Sequence, residues 1–351
     1  MAKLIIFIVV LAGIWLIFHF AFKYFSGVVV ENLSSIAESE SYIEKGNDKI
    51  ALGTYYENID YLLDESVKLS AYAYDPENED ESRFEEIQAM GYSNVMHYDN
   101  KPSQLYKSLA KKNKNAAVML SPVNATVATK PLDDGNVLIA IAFKGTDSSN
   151  INDALSDMYK AVDKNGFHKG FMFNAQQFDK KSEDIVFDLN GEKVNLKQIV
   201  SEAVNPNCKY KILVTGHSLG AAVADIYSGY ILKNHGVDSS NVVTITYGTP
   251  KSCSASYKYT DNNIINVINT DDMVPTIGSE NQLGTCLYFT PTDDFRKSNY
   301  GEYYVETNAY NSYSDILSSV RSNLIAHNLY ASYMPVTQEI KNKHSNYFVE
   351  K

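Results

Sequence analysis

Apolar and polar positions follow two different periods along most of this chain, and their order predicts a mixed α/β protein. Apolar runs typical of buried strands are separated by segments whose apolar positions recur every three or four residues, which is typical of helices. The predicted strands are 136–143, 210–215, 241–247 and 264–268. The predicted helices are 50–74, 176–184, 196–203 and 221–232. Strands separated by helices predict a mostly parallel central sheet with helices on both faces.

The first residues follow neither period. Residues 4–22 are apolar apart from His19, and they lie between Lys3 and Lys23. At helical rise this run covers about 28 Å, which is close to the hydrocarbon thickness of a bilayer. Its length and the bulky residues at its end favour a transmembrane anchor at 1–23 over a cleaved signal peptide.

The remaining chain divides into a tether and one domain. Residues 24–47 are polar, contain serine and glutamate, and predict a tether that lets a folded body sit just off the bilayer. Residues 48–351 suit one large catalytic domain better than two small ones. The lysines beside the span slightly favour an inside amino terminus, which predicts a catalytic domain on the non-cytoplasmic side of the membrane.

Composition narrows the partners and cofactors. The net charge of −11 argues against binding to nucleic acid and against electrostatic binding to anionic lipid. Any contact with a membrane should therefore be hydrophobic. Three cysteines are too few for a disulfide scaffold, and both a Cys253–Cys286 bridge and three reduced thiols remain open. The seven histidines and three cysteines have no metal-ligand spacing, so neither a metal nor another cofactor is predicted.

The candidate chemistry begins at residues 216–220, which read Gly-His-Ser-Leu-Gly between a predicted strand and a predicted helix. This arrangement predicts a nucleophile elbow, in which glycines flank a serine that has a strained backbone conformation. Ser218 is therefore the candidate nucleophile. A serine hydroxyl is a poor nucleophile at neutral pH, so it needs an imidazole to accept its proton and a carboxylate to orient that imidazole.

Elimination indicates the base. In the chain order of α/β-hydrolases, the acid and then the histidine follow the serine. His235 lies beside Gly236 at the end of the elbow helix and should point away, while His344 lies in a charged tail. His327 remains as the candidate base.

Two adjacent aspartates, Asp271 and Asp272, follow a predicted strand and are both candidates for the acid; one of them is expected to be structural only. The motifs resemble those of the fungal-type class 3 lipases, of the α/β-hydrolase superfamily, from about residue 50 to 335. They are 143–146 (Phe-Lys-Gly-Thr), 166–171, 216–220, 246–250, 272–275 (Asp-Met-Val-Pro) and His327-x-x-Tyr330. The resemblance implies an α/β-hydrolase fold, with Asp272 as the acid, His327 as the base and His168 as a structural residue.

An oxyanion hole needs two preorganised donors. Leu219, directly after the nucleophile, supplies a backbone N–H, and the resemblance assigns the second donor to Thr146. The chain departs from the family at Lys144, where an arginine is usual and where a lysine cannot reproduce a bidentate network. Residues 151–162 have an amphipathic helical pattern, which the resemblance identifies as a lid and which equally fits a surface helix.

The expected function is that of a membrane-tethered serine ester hydrolase, a lipase or phospholipase, that cleaves acyl esters of lipids through an acyl-enzyme. Its expected partners are a lipid or membrane-interface substrate and the membrane itself. Two alternatives stay open: an acyltransferase with the same triad, and a non-catalytic membrane-anchored binding protein on the hydrolase fold.

Overall fold

The computed structural model of the chain describes residues 59–74, 81–98, 124–146, 162–259, 263–301 and 325–339. The strands are β1 (Ser93–Tyr98), β2 (Ala125–Pro131), β3 (Val137–Phe143), β4 (Val186–Leu189), β5 (Glu192–Asn195), β6 (Tyr210–His217), β7 (Val242–Tyr247), β8 (Ile264–Asn269) and β9 (Thr285–Phe289). The α-helices are α1 (Ile59–Tyr72), α2 (Glu81–Ala89), α3 (Lys169–Asp179), α4 (Leu196–Glu202), α5 (Leu219–Ile226) and α6 (Asp293–Tyr300). Short 3₁₀ turns are Ser239–Asn241 and Val274–Thr276, and π-helical segments are Tyr227–Leu232 and Leu329–Tyr333.

Seven of these strands form the central sheet, in the order β1-β2-β3-β6-β7-β8-β9. The strands from β3 to β9 in this order run parallel, whereas β1, β2 and β3 are antiparallel neighbours. The mostly parallel sheet is confirmed, as are its four predicted strands. The pattern did not predict β1, β2 or β9. These strands carry polar or half-buried positions, which weaken the signal of a buried apolar run.

Both faces of the sheet are buried under helices. Along β3, Ile139 and Ile141 belong to a core that also contains residues of α3 and α5. Leu138 and Ala140, which point the other way, belong to a second core that contains residues of α1. This alternation explains why the central strands are buried on both faces and confirms the predicted helical cover on both faces.

Local chemistry accounts for several helix boundaries. Asn195 begins α4 with a capping box, in which its side chain accepts the Gln198 backbone N–H at 2.8 Å and the Gln198 side chain accepts the Asn195 N–H at 2.9 Å. The prediction of a helix at 176–184 was wrong in its bounds. The α3 helix begins at Lys169 and ends at Asp179, because its buried face begins at Gly170 and Phe171 rather than farther along the chain.

The predicted anchor at 1–23 and the tether at 24–47 lie outside the described residues, and the division of the chain at residue 48 stays a prediction. Among the helices that the structure describes, none combines the length and the apolar character that a membrane crossing requires.

Candidate active site

Ser218 joins β6 to α5 in a backbone conformation that residues other than glycine rarely adopt. Its φ is 60° and its ψ is −131°. A Cβ on Gly216 would lie 2.6 Å from the carbonyl carbon of Gly220, and a Cβ on Gly220 would lie 2.2 Å from the carbonyl oxygen of Phe143. The predicted sharp turn is confirmed, and so is its steric requirement for two glycines.

The side chain of Ser218 lies at the carboxyl ends of the parallel strands and is 1% exposed. Its backbone N–H donates to the carbonyl of Tyr247, at the end of β7, at 3.0 Å. The hydroxyl is buried and accepts or donates no hydrogen bond within the part of the chain that the structure describes. The elbow therefore holds a hydroxyl whose hydrogen-bonding capacity is unused.

His327 and Asp272 meet although they lie 55 positions apart in the chain. Nδ1 of His327 is 2.7 Å from Oδ2 of Asp272, and both side chains are almost completely buried. A carboxylate accepts hydrogen bonds, so Nδ1 carries the hydrogen and Nε2 of the neutral ring is an acceptor. Nε2 is buried and has no partner among the described residues.

This pair and Ser218 lie at one mouth of the sheet, and Gly248 shows how closely they approach. Gly248 directly follows Tyr247, the residue that accepts the Ser218 N–H. A Cβ on Gly248 would lie 2.9 Å from Oδ2 of Asp272 and 3.0 Å from Cε1 of His327. Within the described residues, Ser218 Oγ and His327 Nε2 form no hydrogen bond, which is common before a substrate binds. Asp272, His327 and the carbonyl that accepts the Ser218 N–H therefore all lie close to this one glycine.

Asp272 is held by two further donors. The backbone N–H of Val274 donates to Oδ1 at 2.8 Å, and the hydroxyl of Tyr333 donates to Oδ2 at 2.6 Å. The role of Tyr333 was missed, because the motif His327-x-x-Tyr330 draws attention to Tyr330, whose side chain is 43% exposed. The only sequence signal for Tyr333 is that it is a second tyrosine, three positions after Tyr330.

The neighbouring Asp271 is engaged elsewhere. Arg296 on α6 binds it with two hydrogen bonds, from Nε at 2.7 Å and from Nη2 at 2.8 Å. Such a fork-shaped pair fixes the carboxylate geometrically and holds it away from the imidazole. The structure therefore separates the two aspartates, with Asp272 beside His327 and Asp271 tied to a helix.

His217 directly precedes the nucleophile and packs on the ring of the candidate base, a role that was not predicted from the sequence. Its Nε2–H donates to the backbone carbonyl of His327 at 2.8 Å, and its Nδ1 accepts from the hydroxyl of Tyr74 at 2.8 Å. Its ring lies against that of His327, with centroids 4.5 Å apart. Burial, and then the nearby His327, lower the pKa of His217 well below its usual value, so this ring stays neutral.

The predicted oxyanion loop lies against the elbow. A Cβ on Gly145 would lie 2.0 Å from the Tyr74 hydroxyl and 2.5 Å from the His217 carbonyl oxygen. Thr146 is the next residue, and Leu219 opens α5 on the other side of Ser218. Lys144 donates its backbone N–H to Asn124 at 2.9 Å. Leu219 thus directly follows the nucleophile, and Thr146 follows the glycine that lies against the His217 carbonyl; the roles of both as donors stay predictions.

Two other histidines take the places expected of structural residues. His235 follows the π-helical segment that continues α5, and its Nε2 bonds to Asp179 at the end of α3 at 2.9 Å, so it is engaged away from Ser218. His168 is 2% exposed and packs on the ring of Phe171. Burial lowers the pKa of His168 to about 4, which keeps the ring neutral at physiological pH. His344 lies outside the described residues.

The structure has three free thiols, Cys208, Cys253 and Cys286. Of the two possibilities left open by the sequence, it contains the reduced cysteines and not the Cys253–Cys286 bridge. Within the described residues, no three His, Cys, Asp or Glu side chains are grouped so that they could hold a metal ion. Of the predicted lid at 151–162, only Val162 is described, and the choice between a lid and a surface helix stays open.

Comparison with known proteins agrees with these features. Residues 140–282, from β3 to the loop before β9, match the model of the lipase (class 3) family. The predicted resemblance to class 3 lipases is confirmed. With it, the prediction of a carboxylic ester hydrolase is confirmed, and the family match supports a lipid ester as the substrate.

Three solved fungal structures illustrate the similarity. The triacylglyceride lipase of Rhizomucor miehei is 20% identical, with 67% of this chain and 80% of that chain covered and a TM-score of 0.45. Lipase II from Rhizopus niveus is 18% identical, with 62% and 74% covered and a TM-score of 0.42. A mutant form of MDLA from Penicillium cyclopium is 18% identical, with 73% and 82% covered and a TM-score of 0.44.

Proposed function

We propose that this chain hydrolyses acyl esters of lipids and forms an acyl-enzyme on Ser218. One observation carries the proposal. A hydrogen-bonded His327–Asp272 pair and a strained serine lie at the same end of the sheet, and the two atoms that would exchange a proton, Ser218 Oγ and His327 Nε2, are both buried and both without a hydrogen-bond partner among the described residues. This is the arrangement that an activated nucleophile needs.

The proposed reaction has two halves. Ser218 Oγ attacks the ester carbonyl carbon while its proton passes to Nε2 of His327, and Asp272 stabilises the resulting imidazolium. The negative oxygen of the tetrahedral intermediate accepts hydrogen bonds from the Leu219 N–H and from Thr146. His327 then returns the proton to the leaving alcohol as its C–O bond breaks. A water molecule attacks the acyl-enzyme by the same route, which releases the fatty acid and restores Ser218.

Labelling with a fluorophosphonate probe tests the nucleophile. We expect covalent labelling of the wild-type chain and none of Ser218→Ala, together with a fall in kcat of at least about 10³-fold for a p-nitrophenyl ester. His235→Ala is a matched control, because that histidine bonds to Asp179 instead. Equal background labelling of wild type and Ser218→Ala would reject the enzyme and favour a binding protein.

The nature of the acceptor is tested separately. The labelled serine is common to hydrolysis and to acyl transfer, so the products must be identified. We expect free fatty acid as the main product when wild type is given lipid vesicles and a soluble alcohol together. A preponderance of the new ester, absent with Ser218→Ala, would replace hydrolysis by acyl transfer.

We further propose that residues 1–23 anchor the enzyme in a membrane, with the catalytic domain on the non-cytoplasmic side. The apolar run at 4–22 supports this, and a tether at 24–47 would raise the effective concentration of membrane lipid at the site. Lipids of the anchoring membrane are then the expected substrates.

Membrane extraction tests the anchor in the full chain. Leu11→Asp with Leu16→Asp should move the protein from the carbonate-resistant membrane fraction to the supernatant, since each aspartate costs about 3 kcal/mol at the centre of a span. Ser34→Asp with Ser35→Asp, in the tether, is the control and should change nothing. Retention of the first variant in the membrane would reject the anchor, and resistance of the domain to protease added outside intact cells would reject the orientation.

A further inference from the structure

We propose that Tyr333 is a positioning residue of this site, whose hydroxyl shares Oδ2 of Asp272 with His327 and holds the acid in line with the base. The inference rests on the proposed function. It concerns a residue outside the three that the motifs indicate and outside the motif His327-x-x-Tyr330.

The hydrogen bond is short and its direction is determined. The Tyr333 hydroxyl lies 2.6 Å from Oδ2 of Asp272, a length typical of an O–H donor to an ionised carboxylate. The same hydroxyl accepts the backbone N–H of Asn269 at 3.3 Å. A phenol has a single hydrogen, so Tyr333 gives it to Asp272. Complete burial and the adjacent carboxylate raise the pKa of Tyr333 well above its usual value, so the phenol remains a donor.

The carboxylate of Asp272 is held at both oxygens. Oδ2 accepts from His327 Nδ1 and from Tyr333, while Oδ1 accepts the Val274 N–H. Because three donors surround two oxygens, the carboxylate cannot rotate without breaking at least one bond. The plane of the carboxylate then determines the direction in which the imidazole presents Nε2 to Ser218.

The π-helical segment Leu329–Tyr333 explains why the more distant tyrosine makes this contact. Asn328 begins the segment, and its side chain accepts the backbone N–H groups of Tyr330 and Ala331, each at 2.9 Å. The segment leaves Tyr330 at the surface and places the ring of Tyr333 against His217 and Tyr247, with centroids 5.6 Å and 6.0 Å away.

The other titratable groups around the His327–Asp272 pair are neutral or have partners of their own, so Tyr333 is the group to test. From β6, His217 stays neutral, as its lowered pKa indicates. From the loop after β8, Asp271 is neutralised by Arg296 of α6. Tyr300 of α6 accepts from the Asn269 side chain at 2.7 Å. A donor to a carboxylate disfavours its protonation and weakens its pull on the imidazole, so loss of the Tyr333 hydroxyl should make His327 more basic.

The experiment compares two buried tyrosines of one cluster. For Tyr333→Phe in the full chain, we expect kcat on a soluble p-nitrophenyl ester to fall about ten-fold, with KM changed less than about two-fold. The acidic limb of the kcat/KM profile should move to higher pH. Tyr300→Phe is the matched control, because its hydroxyl bonds to Asn269 and not to Asp272; it should leave the position of the limb unchanged.

A second measurement separates this inference from the proposed function. The ring of His327 is titrated by NMR in the Ser218→Ala background, with and without Tyr333→Phe, which needs no turnover. A higher midpoint in the double variant supports the inference. An unchanged midpoint overturns it, even when wild type is labelled by the fluorophosphonate.

Two further outcomes are decisive. If Tyr300→Phe moves the acidic limb as far as Tyr333→Phe does, the effect is one of packing and the inference is wrong. If Tyr333→Phe does not fold, a ring-fluorinated tyrosine at position 333, which is a stronger donor of nearly the same shape, should move the limb to lower pH. No movement with the fluorinated residue overturns the inference.

Discussion

The buried polar groups at the two ends of strand β6 differ in their hydrogen bonding. At its beginning, Lys211 is 1% exposed and its ammonium lies 2.5 Å from Oδ1 of Asn241, whose Nδ2 donates to the carbonyls of Ala203 and Asn205 at 2.9 and 2.7 Å. Just beyond the end of the strand, Ser218 has a strained backbone and an unpartnered hydroxyl among the described residues.

The difference separates a buried polar group that stabilises the fold from one that is unfavourable for stability. A satisfied buried network holds elements together, whereas a buried polar atom without a partner, on a strained residue, has to be maintained by the surrounding structure. At the beginning of β6, hydrogen bonds through Lys211 and Asn241 connect the strand to the segment after α4. At the other end, the same strand presents a reactive group. Variants at the two ends should therefore separate stability from turnover.

The largest expected effect is on turnover at the active-site end. Asp272→Asn should lower kcat by about 10⁴-fold, because an amide favours the wrong imidazole tautomer. Asp271→Asn, its neighbour, should lower kcat by no more than about five-fold, since Arg296 and not His327 is its partner. Steady-state kinetics with a soluble ester measures both. The reverse order of effects would show that Asp271 is the acid.

The next largest effect is on folding at the elbow. Gly216→Ala should lower the free energy of unfolding by about 3 kcal/mol or more, because the new Cβ would lie 2.6 Å from the Gly220 backbone. Gly135→Ala is the control for a glycine in a turn. It has a φ of 82° and nothing within 4 Å of the added Cβ, so it should cost only about 1 kcal/mol. Urea titration measures the two; equal losses would contradict the steric account of the elbow.

A smaller effect is expected at the opposite end of β6. Lys211→Met should lower the free energy of unfolding by about 1 kcal/mol, because Asn241 loses one hydrogen-bond donor and the methionine fills the same space. The kcat should be unchanged. A fall in kcat larger than the loss of folded protein would show that the two ends of the strand are coupled, which would break the comparison.

The smallest effect concerns Asp225 on α5, which is completely buried. Burial raises the pKa of this carboxyl well above its usual value. The unfolded chain ionises it above about pH 4 and the folded chain only at higher pH, so its contribution to stability is greatest in acid and falls as pH rises between the two pKa values. Asp225→Asn should therefore gain about 2–4 °C in Tm relative to wild type between pH 4 and 8. Thermal unfolding at both pH values measures this; a constant difference would contradict the burial argument.

Much of the central fold could be predicted because its signals are local. The buried strands β3, β6, β7 and β8 are rich in apolar and β-branched residues, and the elbow glycines lie next to the serine in the chain. The edge strands of the sheet and the start of α3 were not predicted, for a physical reason. An edge strand such as β1 is half-buried and mixes polar with apolar residues, and the start of α3 is determined by what packs on Gly170 and Phe171.

The sequence by itself determined the order of the elements in the core and the position of the candidate nucleophile, because both follow from periodicity or from residues close together in the chain. It determined the choice of His327 through chain order and the elimination of the other histidines after Ser218. The local pattern left both aspartates open and the resemblance implied Asp272, which the structure places against the imidazole while Arg296 binds Asp271. The tertiary structure alone decided that His217 lies against the base and that Tyr333 donates to the acid. These contacts join residues up to 110 positions apart, as His217 and His327 are. Such a contact depends on how strands and helices pack and on which donor reaches a buried acceptor, and no local pattern encodes either.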